Sequence, residues 1–94
     1  MDEVWGPFIW SVGKEQINIE KHDIDFRVAS KAFSDPSRKI FINAKHSHGE
    51  ERFFCFGKVE GRVLTVRFVY RGGKIRIFGA GYWRKGKVYY EKEE

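Results

Sequence analysis

The dipeptide Gly72-Gly73, set between the alternating runs Arg62–Tyr70 and Lys74–Phe78, constrains this chain more than any other feature. Two adjacent glycines can both take positive φ, which is what a tight turn between antiparallel strands requires. Such a turn fixes the register: Tyr70 faces Ile75, Val69 faces Arg76 and Phe68 faces Ile77. Side chains alternate along a strand, so the register also fixes the faces. Leu64, Val66, Phe68, Tyr70, Ile75 and Ile77 form one apolar face. A two- or four-residue loop at Gly61 adds Phe53 and Cys55 to it, from a strand over Arg52–Gly57. The opposite face gathers Arg52, Phe54, Phe56, Thr65, Arg67, Val69, Arg76 and Phe78, with Arg71 and Lys74 at its edge.

An apolar sheet face needs a cover, and the N-terminal third offers one. Phe8-Ile9-Trp10 reads as a short strand, followed by Ser11 as the N-cap of a helix over Val12–His22. Ile17 is expected to face inward, with Lys14, Glu15, Glu20 and Lys21 outward. Asp25 caps a second helix in which Phe26, Ala29, Ala32 and Phe33 share one side, and Asp35-Pro36 ends it. Arg38–Ile42 reads as a further strand, and Lys45–Glu51 as a polar loop. Gly79, Gly81 and Gly86 argue against a helix beginning before Lys87.

The expectation is a single α+β domain over residues 1–94. Two N-terminal helices pack on one face of a mostly antiparallel sheet of four to five strands, followed by an aromatic C-terminal segment. Nine Phe, four Tyr and three Trp provide core material without a disulfide. The single Cys55, between Phe54 and Phe56, reads as a buried thiol and points to a reducing compartment, hence the cytoplasm. Met1-Asp2-Glu3 precedes no apolar run, so no signal peptide is expected. No stretch approaches the roughly 20 apolar residues of a membrane span.

Eighteen Lys and Arg against 13 Asp and Glu give a formal charge of +5. That excess favours a polyanion or an acidic protein as partner. The face where arginines alternate with aromatics suits RNA, since guanidinium binds phosphate bidentately and aromatic rings stack on unpaired bases. The alternative is that the C-terminal segment covers Phe54, Phe56 and Phe78 while the arginines reach water. Beside this face lies His46-Ser47-His48-Gly49-Glu50-Glu51-Arg52-Phe53. RNA cleavage without metal needs a base, an acid and cations for the developing charge. His46, His48, Glu50 and Glu51 are candidates for proton transfer, and Arg52, Arg67 and Arg76 for charge. His46-x-His48 lacks the further ligands of a metal site, and no cofactor motif is present, so none is expected. His22, at the end of the first helix, reads as structural.

In order and spacing the chain resembles the BrnT family of bacterial toxins from about Phe8 to Glu91. The resemblance rests on Phe8-Ile9-Trp10 leading into a helix with Lys14, Asn18 and Lys21-His22, and on Phe26, Ala29 and Phe33-x-Asp35-Pro36. It continues through His46-Ser47-x-Gly49-Glu50-Glu51-Arg52-Phe53 and Ile75-Arg76-Ile77. It implies a RelE-like fold and an endoribonuclease toxin of a type II toxin-antitoxin system. The implied partner is a cognate BrnA-like antitoxin, acidic or DNA-binding, in a hetero-oligomer with the toxin. The chain departs from the family at its C-terminus, where Gly81-Tyr82 replaces an arginine pair and Lys87-Val88 replaces Glu-Arg. Residue reading and resemblance together nominate His46, Glu51, Arg52 and Arg76 for catalysis. His46 is preferred to His48 because it occupies the family-matching position. Arg67, Arg71, Lys74, Tyr82, Trp83 and Arg84 are nominated for RNA binding. The alternative function is a non-catalytic module that binds RNA or protein through the same basic, aromatic face.

Overall fold

Three two-residue turns organise the sheet. Strand β1 (Asp2–Trp5) turns at Gly6-Pro7 into β2 (Phe8–Ser11). Strand β4 (Phe53–Val59) turns at Glu60-Gly61 into β5 (Arg62–Arg71), which turns at Gly72-Gly73 into β6 (Lys74–Gly81). Gly6, Gly61, Gly72 and Gly73 all have positive φ, as does Glu60 at 53°. With β3 (Lys39–Ile42) the strands form a six-stranded sheet in the order β1-β2-β6-β5-β4-β3, in a computed structural model that describes residues 1–92. Pairing is antiparallel except between β2 and β6, which run parallel through Phe8↔Ile75 and Ile9↔Arg76.

The register at Gly72-Gly73 is the expected one: Tyr70↔Ile75, Val69↔Arg76 and Phe68↔Ile77. Phe53 pairs with Phe68 and Cys55 with Val66, so both join the apolar face. Beyond Ile77 the pairing slips by one residue, and Arg67 pairs with Gly79 instead of Phe78. A bulge of this kind inserts an extra residue and locally resets side-chain direction. Its effect here is that Phe78 and Gly79 both open onto the arginine face, while Ala80 turns inward and is fully buried.

Helix α1 (Val12–His22) is capped by Ser11, whose hydroxyl accepts the Lys14 N–H at 3.3 Å. Helix α2 (Phe26–Ser30) is capped by Asp25 and runs on into a 3-10 turn over Lys31–Ser34. This second unit covers the apolar face. Phe26, Ala29 and Ala32 are fully buried against Cys55, Leu64, Val66, Phe68 and Ile77, with Trp10 from β2. Phe68 touches the rings of Phe33, Phe53 and Tyr70. Phe68→Ala is therefore expected to cost roughly 3–5 kcal/mol by chemical denaturation.

Three expectations about the fold need correction. The sheet has six strands, because β1 adds an edge. The two N-terminal helices do not both lie on the apolar face: α1 packs along the edge of β6 beyond the point where β2 ends. Its inward residue is Asn18, not Ile17, which is 51% exposed. The Asn18 amide accepts the Ala80 N–H at 3.1 Å and donates to the Ile24 carbonyl at 2.9 Å. A strand edge presents hydrogen-bonding groups, so the helix residue facing it is an amide and not an aliphatic.

The third correction is at the C-terminus, where α3 (Arg84–Glu91) begins well before Lys87 and packs on the arginine face. Arg84, Lys85 and Gly86 are poor residues for a first helical turn, since cations oppose the helix dipole and glycine adds backbone entropy. Packing overrides them. A Cβ on Gly86 would lie 1.9 Å from the Thr65 hydroxyl oxygen, so only glycine lets the helix settle there. The Tyr89 ring stacks on Phe56 at 5.5 Å and 6°. The Lys39 ammonium donates to the Tyr89 and Lys92 carbonyls.

Asp35 ties this helix to the sheet. Its carboxylate accepts from Tyr90 Oη at 2.6 Å, the Lys58 N–H at 2.7 Å and the Ser37 N–H at 2.9 Å. Burial alone would raise its pKa, but the three donors outweigh that and hold it below the ordinary carboxylate value. A carboxyl depressed in the fold stabilises above its unfolded value, near 3.9, and loses that contribution as pH falls through the folded value. Asp35→Asn is expected to lower stability at pH 7 by about 1–2 kcal/mol and to shrink the loss between pH 7 and pH 3, measured by urea denaturation at both.

Candidate nucleic-acid interface

On the arginine face, β5 presents Arg67 and β6 presents Arg76, Phe78 and the bare backbone of Gly79. Arg67 occupies the room that Gly79 leaves: a Cβ there would meet the Arg67 guanidinium at 2.4 Å. Gly81 plays the same part for Trp83, whose indole would be met at 2.6 Å. These two glycines thus seat an arginine and a tryptophan side by side, with Arg67 Cζ 5.8 Å from the Trp83 ring and 5.4 Å from the Phe78 ring. The Arg52 Cζ and the Lys14 Nζ lie 5.3 and 5.9 Å from the same Phe78 ring. Three cations therefore surround one aromatic side chain.

Their electrostatics differ from those of the neighbouring arginines. Arg76 is held bidentately by Asp2 of β1, at 2.8 and 3.1 Å. Arg71 is held bidentately by Glu50, at 2.7 and 3.0 Å. These pairs depress the Asp2 and Glu50 carboxyls and raise Arg71. Among the described residues, no carboxylate forms an ion pair with Arg52, Arg67 or Lys14. Arg67 is partly buried and its Nε has no hydrogen-bond partner among them. Burial first, and the Arg52 charge second, pull its pKa below the ordinary guanidinium value. It stays charged all the same, because a guanidinium does not deprotonate in proteins. An unpaired, half-desolvated cation of this kind is a strong attractor for an anion.

Two shallow clefts meet at Lys14 and Phe78. One, of about 240 Å³, is lined by Arg52, Arg71, Arg76, Glu50 and Ser11. The other, of about 260 Å³, is lined by Arg67, Lys21, His22, Ile17 and Asn18. The His22 ring stands edge-on to Trp83 at 5.2 Å. The edge position of α1 is what brings Lys14, Lys21 and His22 to the arginines.

The expected site residues divide accordingly. Arg52, Arg67, Arg76, Arg71 and Trp83 come together. Arg52 is aimed by its loop: the Ser47 hydroxyl accepts the Arg52 N–H at 2.9 Å and donates to the Asn43 carbonyl at 2.8 Å. His46 and His48 are exposed in that loop, Glu51 is exposed just before β4, and none of the three lines either cleft. Lys74 begins β6 opposite Arg71 and lines neither cleft. Tyr82 packs on the core, its hydroxyl 3.5 Å from the Val59 carbonyl, and burial raises its pKa. Tyr82 and Arg84 line a separate groove of about 680 Å³ with Lys58, Arg62, Lys87 and one side of Trp83.

Lys14, Lys21 and His22 are the cleft residues that sequence reading left in solvent or in a structural role. Their signal was present: with Asn18 they fall at i, i+4, i+7 and i+8, a single helical stripe.

Among the described residues, no helix is long and apolar enough to cross a membrane. No curated protein matches the chain. The family model for the ribonuclease toxin BrnT of type II toxin-antitoxin systems matches residues 10–86, from Trp10 of β2 to Gly86 of α3. That span takes in Lys14, His22, Arg52, Arg67, Phe78 and Trp83, and it bears out the resemblance read from the motifs. A type II system supplies a protein antitoxin as partner and, for a ribonuclease toxin, RNA as substrate. With most of its length matched, the chain belongs to the BrnT family of type II toxin-antitoxin ribonuclease toxins.

Proposed function

We propose that this chain is an endoribonuclease that cuts RNA on the arginine face by metal-independent acid-base chemistry. The observation that supports this most is Arg67, half-buried between Phe78 and Trp83 with its Nε unpartnered among the described residues. Such a guanidinium, with Arg52 and Lys14 around the same ring, is preorganised for the phosphate that gains charge during cleavage. Arg76 and Arg71 rank behind it because carboxylates already hold them.

Attack by the ribose 2′-hydroxyl needs a base, and departure of the 5′-oxygen needs an acid. In this reading His22 takes a proton-transfer role, since it lines the cleft that Arg67 lines. His46, at the family-matching position, is the alternative, with Glu51 as the carboxylate of the same loop. Trp83 and the Arg84 groove extend the RNA track.

The antitoxin, read as an acidic BrnA-like protein, neutralises by covering Arg52 and Arg67. Charge would speed this association and make it sensitive to salt. Action on RNA and the free thiol of Cys55 fit a cytoplasmic protein.

The test is cleavage of labelled single-stranded RNA by purified protein with a chelator present. Cutting that persists in chelator is expected. Protein that binds this RNA and never cuts it would instead favour the binding module.

A further inference from the structure

The arginine face holds a second, chemically different hollow. Between α3 and the sheet lies a pocket of about 310 Å³ walled by Phe54, Phe56, Trp83 and Tyr89, with Lys85 at its rim. That size is at the lower end of small-ligand sites, roughly 300–1,000 Å³. Its walls are almost entirely aromatic. Thr65 lies beneath it, only 4% exposed, with its hydroxyl covered by the close approach of Gly86.

The position of the pocket matters as much as its lining. Phe54 is the direct cross-strand neighbour of Arg67, and Trp83 lies 5.8 Å from the Arg67 guanidinium. The pocket and the unpaired cation are therefore neighbours on the sheet, with Trp83 beside both. A ligand that fills both has a flat aromatic part joined to an anionic part a few ångströms away. A nucleotide is built in that way.

We propose that this pocket receives one unpaired base of the RNA, extruded from its strand, while Arg67 holds the adjoining phosphate. The idea rests on the ribonuclease reading for its ligand class, but not on catalysis. It gives the domain a means of choosing where along a single strand it engages. It also gives Gly86 a second consequence, since the close approach of α3 sets the separation of Tyr89 from Phe54. Stacking on aromatic walls tolerates several bases, so the pocket selects an unpaired base over a paired one more than one base over another.

The experiment titrates isotope-labelled protein with the four nucleoside 5′-monophosphates and, separately, with ribose 5-phosphate, followed by NMR. At least one nucleotide is expected to bind about tenfold tighter than ribose 5-phosphate, the scale of one stacked base. It should shift the Trp83 indole and Gly86 resonances. Tyr89→Ala is expected to erase that advantage, whereas Arg67→Ala weakens both ligands together. Phe54→Leu, which keeps an apolar wall and removes its π face, supplies a second variant should Tyr89→Ala lose its fold. Nucleotides that bind no better than ribose 5-phosphate, or that bind undiminished to folded variants, would overturn the pocket. So would binding of neither ligand. Cleavage is scored separately: RNA cutting by folded Tyr89→Ala at the wild-type rate sinks the pocket alone, and the nucleotide advantage without RNA cutting sinks the nuclease reading alone.

Discussion

Arg67→Ala is expected to slow RNA cleavage by roughly 10²–10³-fold, the usual cost of removing one preorganised donor from developing negative charge. The side chain sits in a seat built by Gly79, between two rings, with no carboxylate ion-paired to it among the described residues. Its loss should leave folding nearly unchanged, because a half-buried cation with an unsatisfied Nε contributes little to stability. Far-UV circular dichroism and a denaturation curve check that point. Arg67→Lys is expected to recover only a fraction of the rate, since a lysine ammonium lacks the planar fork and packs poorly between aromatic faces. Arg71→Ala provides the contrast. Arg71 is exposed and already paired with Glu50, so its removal should cost only a few-fold. Equal losses for Arg67→Ala and Arg71→Ala would mean that general positive charge, not this seat, drives the reaction.

The difference between those two arginines was not legible in the sequence. Both stand in β5, four residues apart and on the same side of the alternation. Local patterning did define the hairpin register, because Gly72-Gly73 leaves little freedom and a one-residue slip would bury arginines. It also defined the two N-caps, Ser11 and Asp25, since each depends on a side chain and a backbone group three residues away. What escaped was set by distant partners. Asp2 meets Arg76 only because β1 folds back on β2 at Gly6-Pro7, and an acidic N-terminus carries no local sign of that pairing. Ile17 looked like the inward residue because apolar side chains usually are. The surface that α1 meets, however, is a strand edge with an amide to satisfy, and Asn18 takes it.

The C-terminal segment failed as an expectation for a related reason. Gly81 and Gly86 weaken a helix considered alone, and that argument is sound locally. In the fold they act as absences of side chain: one admits the Trp83 indole, the other lets α3 approach Thr65. The missing side chain at position 81 is thus what gives the indole its seat.

His22→Phe is expected to reduce cleavage by roughly 10²–10⁴-fold while leaving RNA binding near wild type, the signature of a lost proton-transfer group. Phenylalanine keeps a ring against Trp83, so the contact at 5.2 Å need not be sacrificed to remove the imidazole. A purely structural His22 would tolerate this substitution and cut at the wild-type rate. His46→Ala is the paired measurement. His46 is exposed and outside both clefts, so in this reading its loss costs at most a few-fold. The opposite pattern, a dead His46→Ala beside an active His22→Phe, would place the chemistry in the loop that ends at Arg52 and make Glu51 the next residue to change. Two comparable losses would assign one imidazole to the base and the other to the acid.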